Sequence, residues 1–461
     1  MHSPFPFDNL LVFGFLSVLL LFGTLVRAKT PFVQRYLFPS CLLGGVLGSI
    51  LINFDLVKIS TTHLETFAYH LFNLSFISVG LTRDTEANRA ESSKGKFLKG
   101  TLWMALTQGI TFPLQALVGG LVVLVMGLFG VNLFKTFGFL APLGFNEGPG
   151  QALSFGKVWE GLGFEHAATI GLTFAAVGFI FSFFIGVPLA NWGLRKGLAT
   201  GEAKKLPPEF VAGLLPKSKK GESAGNLRLH SSNIDSMAFQ VAMVGLVYLL
   251  TYFLVDFLGT LVGTDTAKML WGFFFFFGLG IAIVVRTIAE KIGIGHLLDE
   301  GIQKRITGWS VDYLIVATIP AIQFAVVWNF ALPIGLICAI NGLLTTLLVL
   351  HLGRRLPSES LERTVAIYGT VTGTVSCGLL LLRIVDPEFK TSVAIELAVM
   401  NLFVLPILLS CVMLVNAPIW WGWSLELTLL AFAGIALTSY ILMRLLRILD
   451  KPISKESIRK P

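Results

Sequence analysis

The chain has 461 residues, a formal net charge of +8, 54% hydrophobic and only 13% charged residues. Soluble domains carry about 25% charged residues, so a soluble globular domain is excluded and an all-α polytopic membrane protein is expected. The basic excess does not point to nucleic acid, because Lys and Arg of membrane proteins gather in cytoplasmic loops.

Apolar runs place crossings in the first half at about 8–27, 36–53, 67–82, 100–129 and 167–192. Runs of roughly 17–25 such residues suffice to cross a bilayer. The first lacks a basic leader and an Ala-x-Ala site, so it reads as a retained helix and not a cleaved signal. A charged, Gly/Pro/Lys-rich segment at 193–235 reads as a linker. The second half gives crossings at about 236–259, 267–287, 309–326, 328–351 and 391–415. An extra span at 419–446 and a tail at 447–461 follow. Cys41, Cys338, Cys377 and Cys411 all lie in apolar segments and read as packed thiols.

Two polar, glycine-rich stretches interrupt this pattern between the fourth and fifth span of each half, at about 138–157 and 364–385. The first carries Gly144, Asn146, Glu147, Gly148, Pro149, Gly150, Gln151 and Ser154. The second carries Gly369, Thr370, Thr372, Gly373, Thr374, Ser376 and Gly378. Gly144, Gly148 and Phe164 are each 225 residues before Gly369, Gly373 and Phe389. Matched interruptions of this kind point to a transporter's binding site.

Orientation follows from the basic residues. With the N-terminus outside and neither polar stretch crossing fully, 31 of the 35 Lys and Arg residues face the cytoplasm. Only Lys58, Lys135, Lys157 and Lys268 lie outside. A full crossing by either stretch would swap every later loop and destroy this bias. Both stretches therefore read as re-entrant. The halves, 1–192 and 236–415, become two inverted-topology repeats of five transmembrane helices, the first stretch entering from outside and the second from inside.

Irregular backbone at membrane depth is tolerated only inside protein or beside water. Unwound chain there exposes carbonyls that can ligate a hard cation and amides that can hold a carboxylate. Gly148 and Gly150 permit close approach of a ligand, and Pro149 stops helix continuation. Asn146, Gln151 and Ser154 offer neutral donors and acceptors. Sodium suits the hydroxyls of Thr370, Thr372, Thr374 and Ser376 together with carbonyls at Gly148 and Gly373. Close helix packing is the bland reading of the same glycines and threonines.

Glu147 is the only charge between Lys135 and Lys157; it could neutralise a cation, carry a proton, or pair with Lys157 at the outer mouth. Glu396 and Asn401 lie in the span after the second stretch. Glu396 could ligate sodium or pair with Arg383, and Asn401 could contact substrate. Arg383 could clamp a carboxylate or pair with Asp386 at the interface. Gln108, Asn73, Ser75, Ser78, Thr318, Gln323 and Asn341 read as lesser candidates. The Gly44-Gly45-x-x-Gly48 and Gly278-x-Gly280 clusters read as close packing, and Phe273–Phe277 as lipid-facing or scaffold bulk.

At the two stretches the chain resembles the glutamate:sodium symporter (ESS) family. That family has a Gly-rich sequence in each half, the first roughly Gly-His-Gly-Thr-Gly-Ala-Ala followed by Glu-Arg-Tyr-Gly-Phe. Here Asn146-Glu147-Gly148-Pro149-Gly150-Gln151-Ala152 and Glu160-Gly161-Leu162-Gly163-Phe164 correspond, with a one-residue gap. The family's His is replaced by Glu147 and its Thr by Pro149. The second family stretch, roughly Gly-Ala-Thr-Pro-Thr-Ala, corresponds to Gly369-Thr370-Val371-Thr372-Gly373-Thr374. The resemblance implies sodium-coupled uptake of an acidic amino acid, with re-entrant tips moving in a transport domain. Related 2-hydroxycarboxylate transporters share the architecture and admit di- or tricarboxylates.

A multi-pass transporter of the cytoplasmic (inner) membrane is therefore expected, with its C-terminus cytoplasmic. It would import glutamate or a similar small carboxylate with sodium by elevator-type alternating access. A homodimer is expected, and neither an enzymatic activity nor an organic cofactor. The first stretch would choose the substrate and the second would hold the cation. Proton coupling through Glu147, a passive channel, and a receptor using the basic linker remain as alternatives.

Overall fold

The computed structural model describes residues 7–82, 94–200, 207–215, 223, 225–230, 232–387 and 389–449. Arg83, Arg89, the tail from 450 and the charged parts of the linker at 201–206 and 216–222 lie outside the described residues. Among the described residues all regular structure is helical. Among the same described residues seven helices are long and apolar enough to cross a bilayer, or eight if one bent pair counts as a span.

The N-terminal run forms α1 (Asp8–Lys29). The expected crossing at 36–53 is divided into α2 (Pro31–Tyr36) and α3 (Ser40–Asn53), because Leu37 adopts a left-handed φ of 54° and Pro39 follows. At about 1.5 Å per residue α3 is roughly 21 Å long, short of the ~30 Å hydrocarbon core. Next come α4 (Thr61–Leu81) and the 35-residue α5 (Lys94–Leu128). The first polar stretch breaks into α6 (Leu140–Phe145) and α7 (Pro149–Glu160). The following span is α8 (Ala167–Phe184) continued by α9 (Gly186–Arg195), and the linker holds a short α10 (Pro208–Ala212).

The second half opens with α11 (Ser236–Thr260), then α12 (Thr264–Gly272) and α13 (Phe274–Lys291), bent by 63° at Phe273. The span expected at 309–326 is misplaced: α14 runs Glu300–Thr318, started by an Asp299 cap and stopped two residues before Pro320. A short α15 (Phe324–Asn329) precedes α16 (Ala331–Gly353). The second polar stretch breaks into α17 (Ser360–Val371) and α18 (Val375–Val385). The chain ends with α19 (Val393–Val415), α20 (Ala417–Trp420) and α21 (Leu425–Leu445).

These helices assemble into two compact units, and each unit draws on both halves of the sequence. One comprises Met1–Thr85, Pro149–Leu172 and Pro208–Val326; the other Glu86–Gly148, Thr173–Pro207 and Val327–Pro461.

In the first unit α4 packs against α13 and α14, α1 against α3, and α7 against α4, α12 and α14. Ile77, Leu81, Val244, Val247, Ala282 and Ile306 form its apolar centre. A polar chain threads beside them. Ser78 Oγ lies 2.6 Å from Gln303 Oε1, Gln303 Nε2 donates to Gln240 Oε1 at 3.0 Å, and Gln240 Nε2 donates to the Leu297 carbonyl at 2.7 Å. The phenylalanine run is not lipid-facing at its start: Phe273, Phe274 and Phe275 are buried, against Phe155, Tyr248 and Phe72 respectively. Gly44, Gly45 and Gly48 do bring α3 against neighbours, whereas Gly280 faces open space.

In the second unit α5 packs against α16, α19 and α21. Its most apolar window is 67% buried, against 22% for α1 and for α11, so α5 is an interior helix while those two present apolar side chains outward. Pro113 interrupts α5 and cannot donate to the carbonyl four residues back. That carbonyl, of Gly109, accepts instead from Ser439 Oγ of α21 at 3.3 Å.

Asp299 shows how helix starts are fixed outside the apolar spans. Its buried carboxylate accepts from the Ile302 N–H and from Arg228 Nε, each at 3.0 Å. Burial alone would raise this carboxyl, but backbone N–H bonds from Ile302 and Asn226 and the Arg228 guanidinium outweigh it and hold it below its ordinary value. The stabilisation is therefore complete above the ordinary carboxylate range and is lost as pH falls through the depressed value. Asp299→Ala is expected to cost about 1–2 kcal/mol at neutral pH. The melting temperature of the detergent-purified variant should fall below wild type, and acidification should narrow the gap.

Candidate functional site

Both polar stretches are broken helices in the structure. The first leaves the helical conformation at Asn146–Gly148, the second at Thr372–Thr374. A helix follows each break at once, opened by Pro149 and by Val375. The tips meet within the second unit. Gly148 has a φ of +85°, and a Cβ placed there would stand 2.8 Å from Thr374 Cγ2 and 3.2 Å from the Gly373 carbonyl oxygen. Only glycine adopts this backbone cheaply, and only glycine leaves room for the partner tip. Gly373 is equally confined, since a Cβ there would lie 2.9 Å from Ser182 Oγ and 3.0 Å from Cys377 Sγ.

The polar atoms exposed by the breaks are held largely by α5. Gln108, Thr111 and Gln115 recur at i, i+3 and i+7, which places them on one face of that helix. Gln108 Nε2 donates to Glu147 Oε1 at 3.1 Å, and Asn146 Nδ2 donates to Thr111 Oγ1 at 3.1 Å. Gln115 Nε2 donates at 3.1 Å to the Val371 carbonyl, the last of α17, and at 3.1 Å to Thr345 Oγ1 of α16. Asn341 Nδ2 of α16 reaches the Gln115 carbonyl at 3.4 Å. From α8, Ser182 Oγ lies 2.8 Å from Thr372 Oγ1 and 3.2 Å from the Gly369 carbonyl oxygen. Chain ends inside an apolar body need such partners. The sequence reading noted Gln108 and Asn341 only as minor candidates and missed Thr111, Gln115, Ser182 and Thr345. The i, i+3, i+7 polar spacing in an otherwise apolar α5 was the available signal.

The expected site residues divide between the units. Asn146, Glu147, Gly148, Thr370, Thr372, Gly373 and Thr374 gather in the second. Asn146, Thr370 and Thr372 are buried, and Glu147 is half-buried. Thr370 and Thr372 donate to the Ala366 and Tyr368 carbonyls of their own helix. Pro149, Gly150, Gln151 and Ser154 belong to the first unit. Gly150 lies against the Phe72 ring, and Ser154 Oγ donates to the Gly150 carbonyl at 2.8 Å.

Four expected residues have other surroundings. Ser376 and Asn401 are exposed, and Asn401 Nδ2 donates only weakly back to its own helix, at 3.3 and 3.4 Å. Arg383 is exposed, with its guanidinium 4.9 Å from the Phe389 ring centre. Asp386 accepts from the Lys390 and Thr391 N–H groups.

Glu396 is fully buried, but as the partner of Arg363 and not of Arg383. Arg363 Nε and Nη2 donate to its two oxygens at 2.7 and 2.6 Å, and Ser392 Oγ donates to Oε1 at 2.8 Å. This fork leaves Glu396 structural in character and ties α17 to the start of α19. In the first unit Lys157 contacts Glu65 at 2.7 Å and Glu160 at 2.8 Å, so its ion pairs are with these residues.

Gly148→Ala should destabilise the protein by the cost of a left-handed residue, about 1–2 kcal/mol, plus the collision with Thr374. Thr374→Ser removes Cγ2 and keeps the hydroxyl, so it is expected to recover part of the lost melting temperature in the double variant. No recovery would show that the tips are not in contact.

Residues 6–356 match the family model described as sodium/glutamate symporter. The match includes the first break and ends before the second. No curated protein matches the chain.

Proposed function

The chain belongs to the sodium/glutamate symporter family, and from that premise we propose that it imports glutamate or a similar small carboxylate together with sodium. The observation that carries this reading is the meeting of the two broken helices at Gly148 and Thr374. A helix start lies next in the chain after each break. The first turn of α18 has no side-chain cap from Thr374. The first turn of α7 begins at Pro149, so Gly150 and Gln151 bring its first N–H groups. A helix start attracts carboxylates through its first N–H groups and the positive end of the dipole. In this reading the start of α18 receives a substrate carboxylate, Asn146, Glu147 and Thr374 of the same unit complete its contacts, and sodium is carried as a second substrate.

Contacts between equivalent positions support two inverted repeats. Gly148 approaches Gly373, and Ser78 bonds Gln303, each pair separated by 225 residues. Asn341 bonds Gln115 at a separation of 226. Residues related by a two-fold axis touch one another only near that axis, and these pairs occur in both units. Inverted repeats with discontinuous helices suit alternating access, here of the elevator type in a homodimer. The basic bias of the loops puts the N-terminus outside and the C-terminus in the cytoplasm.

Uptake of labelled glutamate into proteoliposomes should require an inward sodium gradient and should accumulate glutamate above the external concentration. Sodium-independent uptake of every carboxylate tried would contradict the coupling. Uptake that follows pH alone would assign the coupling to Glu147 and a proton. Flux that never exceeds equilibration would make the protein a channel.

A further inference from the structure

The amide groups around the first break are only half used. Gln108 and Asn146 are each at least 97% buried, at 3% and 2% exposure. Each spends its NH2 group inside the protein, Gln108 on Glu147 and Asn146 on Thr111. Gln108 Oε1 and Asn146 Oδ1 have no hydrogen-bond donor. Buried carbonyl oxygens without a donor are rare and call for an explanation. Both belong to the surroundings of one carboxylate: Gln108 is bonded to Glu147, and Asn146 is its neighbour in the chain.

We propose that Gln108 Oε1, Asn146 Oδ1 and the Glu147 carboxylate hold the transported sodium ion. The assignment rests on the sodium-coupled reading above and moves the ion from the hydroxyls of the second stretch to the first. The donor set is all oxygen, which suits a hard cation and not a soft one. It carries one negative charge against one positive charge, so the bound ion neutralises a carboxylate placed at membrane depth. Gln115 Oε1 and Asn341 Oδ1 are a second unclaimed pair, on the α5–α16 seam, but among the described residues no carboxylate bonds to either, so the charged end of the α5 stripe is the cation end.

The ammonium group of an amino acid shares the chemistry of a monovalent cation, so the test uses sodium alone. Binding of 22Na+ to the purified full-length protein is measured by scintillation proximity without substrate. Gln108→Met and Asn146→Leu keep the shape and remove the oxygens, and should raise the apparent Kd for sodium at least tenfold. Gln108→Glu and Asn146→Asp keep an oxygen and lose the NH2 donor, and should retain sodium binding. If the amides serve only to position the break, the acidic variants will lose binding as fully as the apolar ones, which overturns the assignment. Unchanged 22Na+ binding in the apolar variants overturns it as well, including the case where glutamate affinity falls and the site belongs to the substrate's ammonium group. Absence of 22Na+ binding in the wild type overturns the sodium-coupled reading itself, a result distinct from either of these.

Discussion

A helix broken inside an apolar body leaves N–H and carbonyl groups without partners, and lipid cannot supply any. Everything notable in the second unit answers that constraint. The α5 stripe of Gln108, Thr111 and Gln115 reaches both breaks, one end at Asn146–Glu147 and the other at Val371. The same helix carries its own interruption at Pro113, and α21 closes the gap through Ser439. α21 therefore has a structural task.

Polarity around the breaks is divided by chemistry. The side that precedes each break ends a helix and presents carbonyls, while the side that follows begins one and presents N–H groups. Glu147 adds the single carboxylate on the carbonyl side of the first break. The buried Arg363–Glu396 fork stands apart from this division. A buried ion pair with satisfied hydrogen bonds contributes specificity of packing more than net stability, and this one fixes where α17 and α19 start relative to each other.

The breaks were legible because their composition contradicts their surroundings: Gly-Pro-Gly and a run of threonines have no role in a continuous span. The 225-residue offset was legible for the same reason, and the pairs Gly148–Gly373 and Ser78–Gln303 give it a spatial meaning. Arg363 was not legible as Glu396's partner, since the cytoplasmic bias counted it among loop charges. Burial of a cation depends on the carboxylate that three-dimensional packing brings to it. The start of α14 was missed because Glu300, Lys304 and Arg305 break the apolar run by which a span is recognised, although Asp299 supplies a strong cap. The substrate role expected of Arg383 and Asn401 and the sodium role expected of Ser376 followed from sequence proximity to the second break. Helical spacing turns all three outward.

The central claim is that the two breaks form one ligand site. It is tested most directly by cryo-electron microscopy of the full-length protein in the presence of sodium and glutamate. The account predicts ligand density against Asn146–Gly148 and Thr372–Thr374, with both segments non-helical. Ligand density confined to other regions, or either segment closed into a continuous helix, would contradict it.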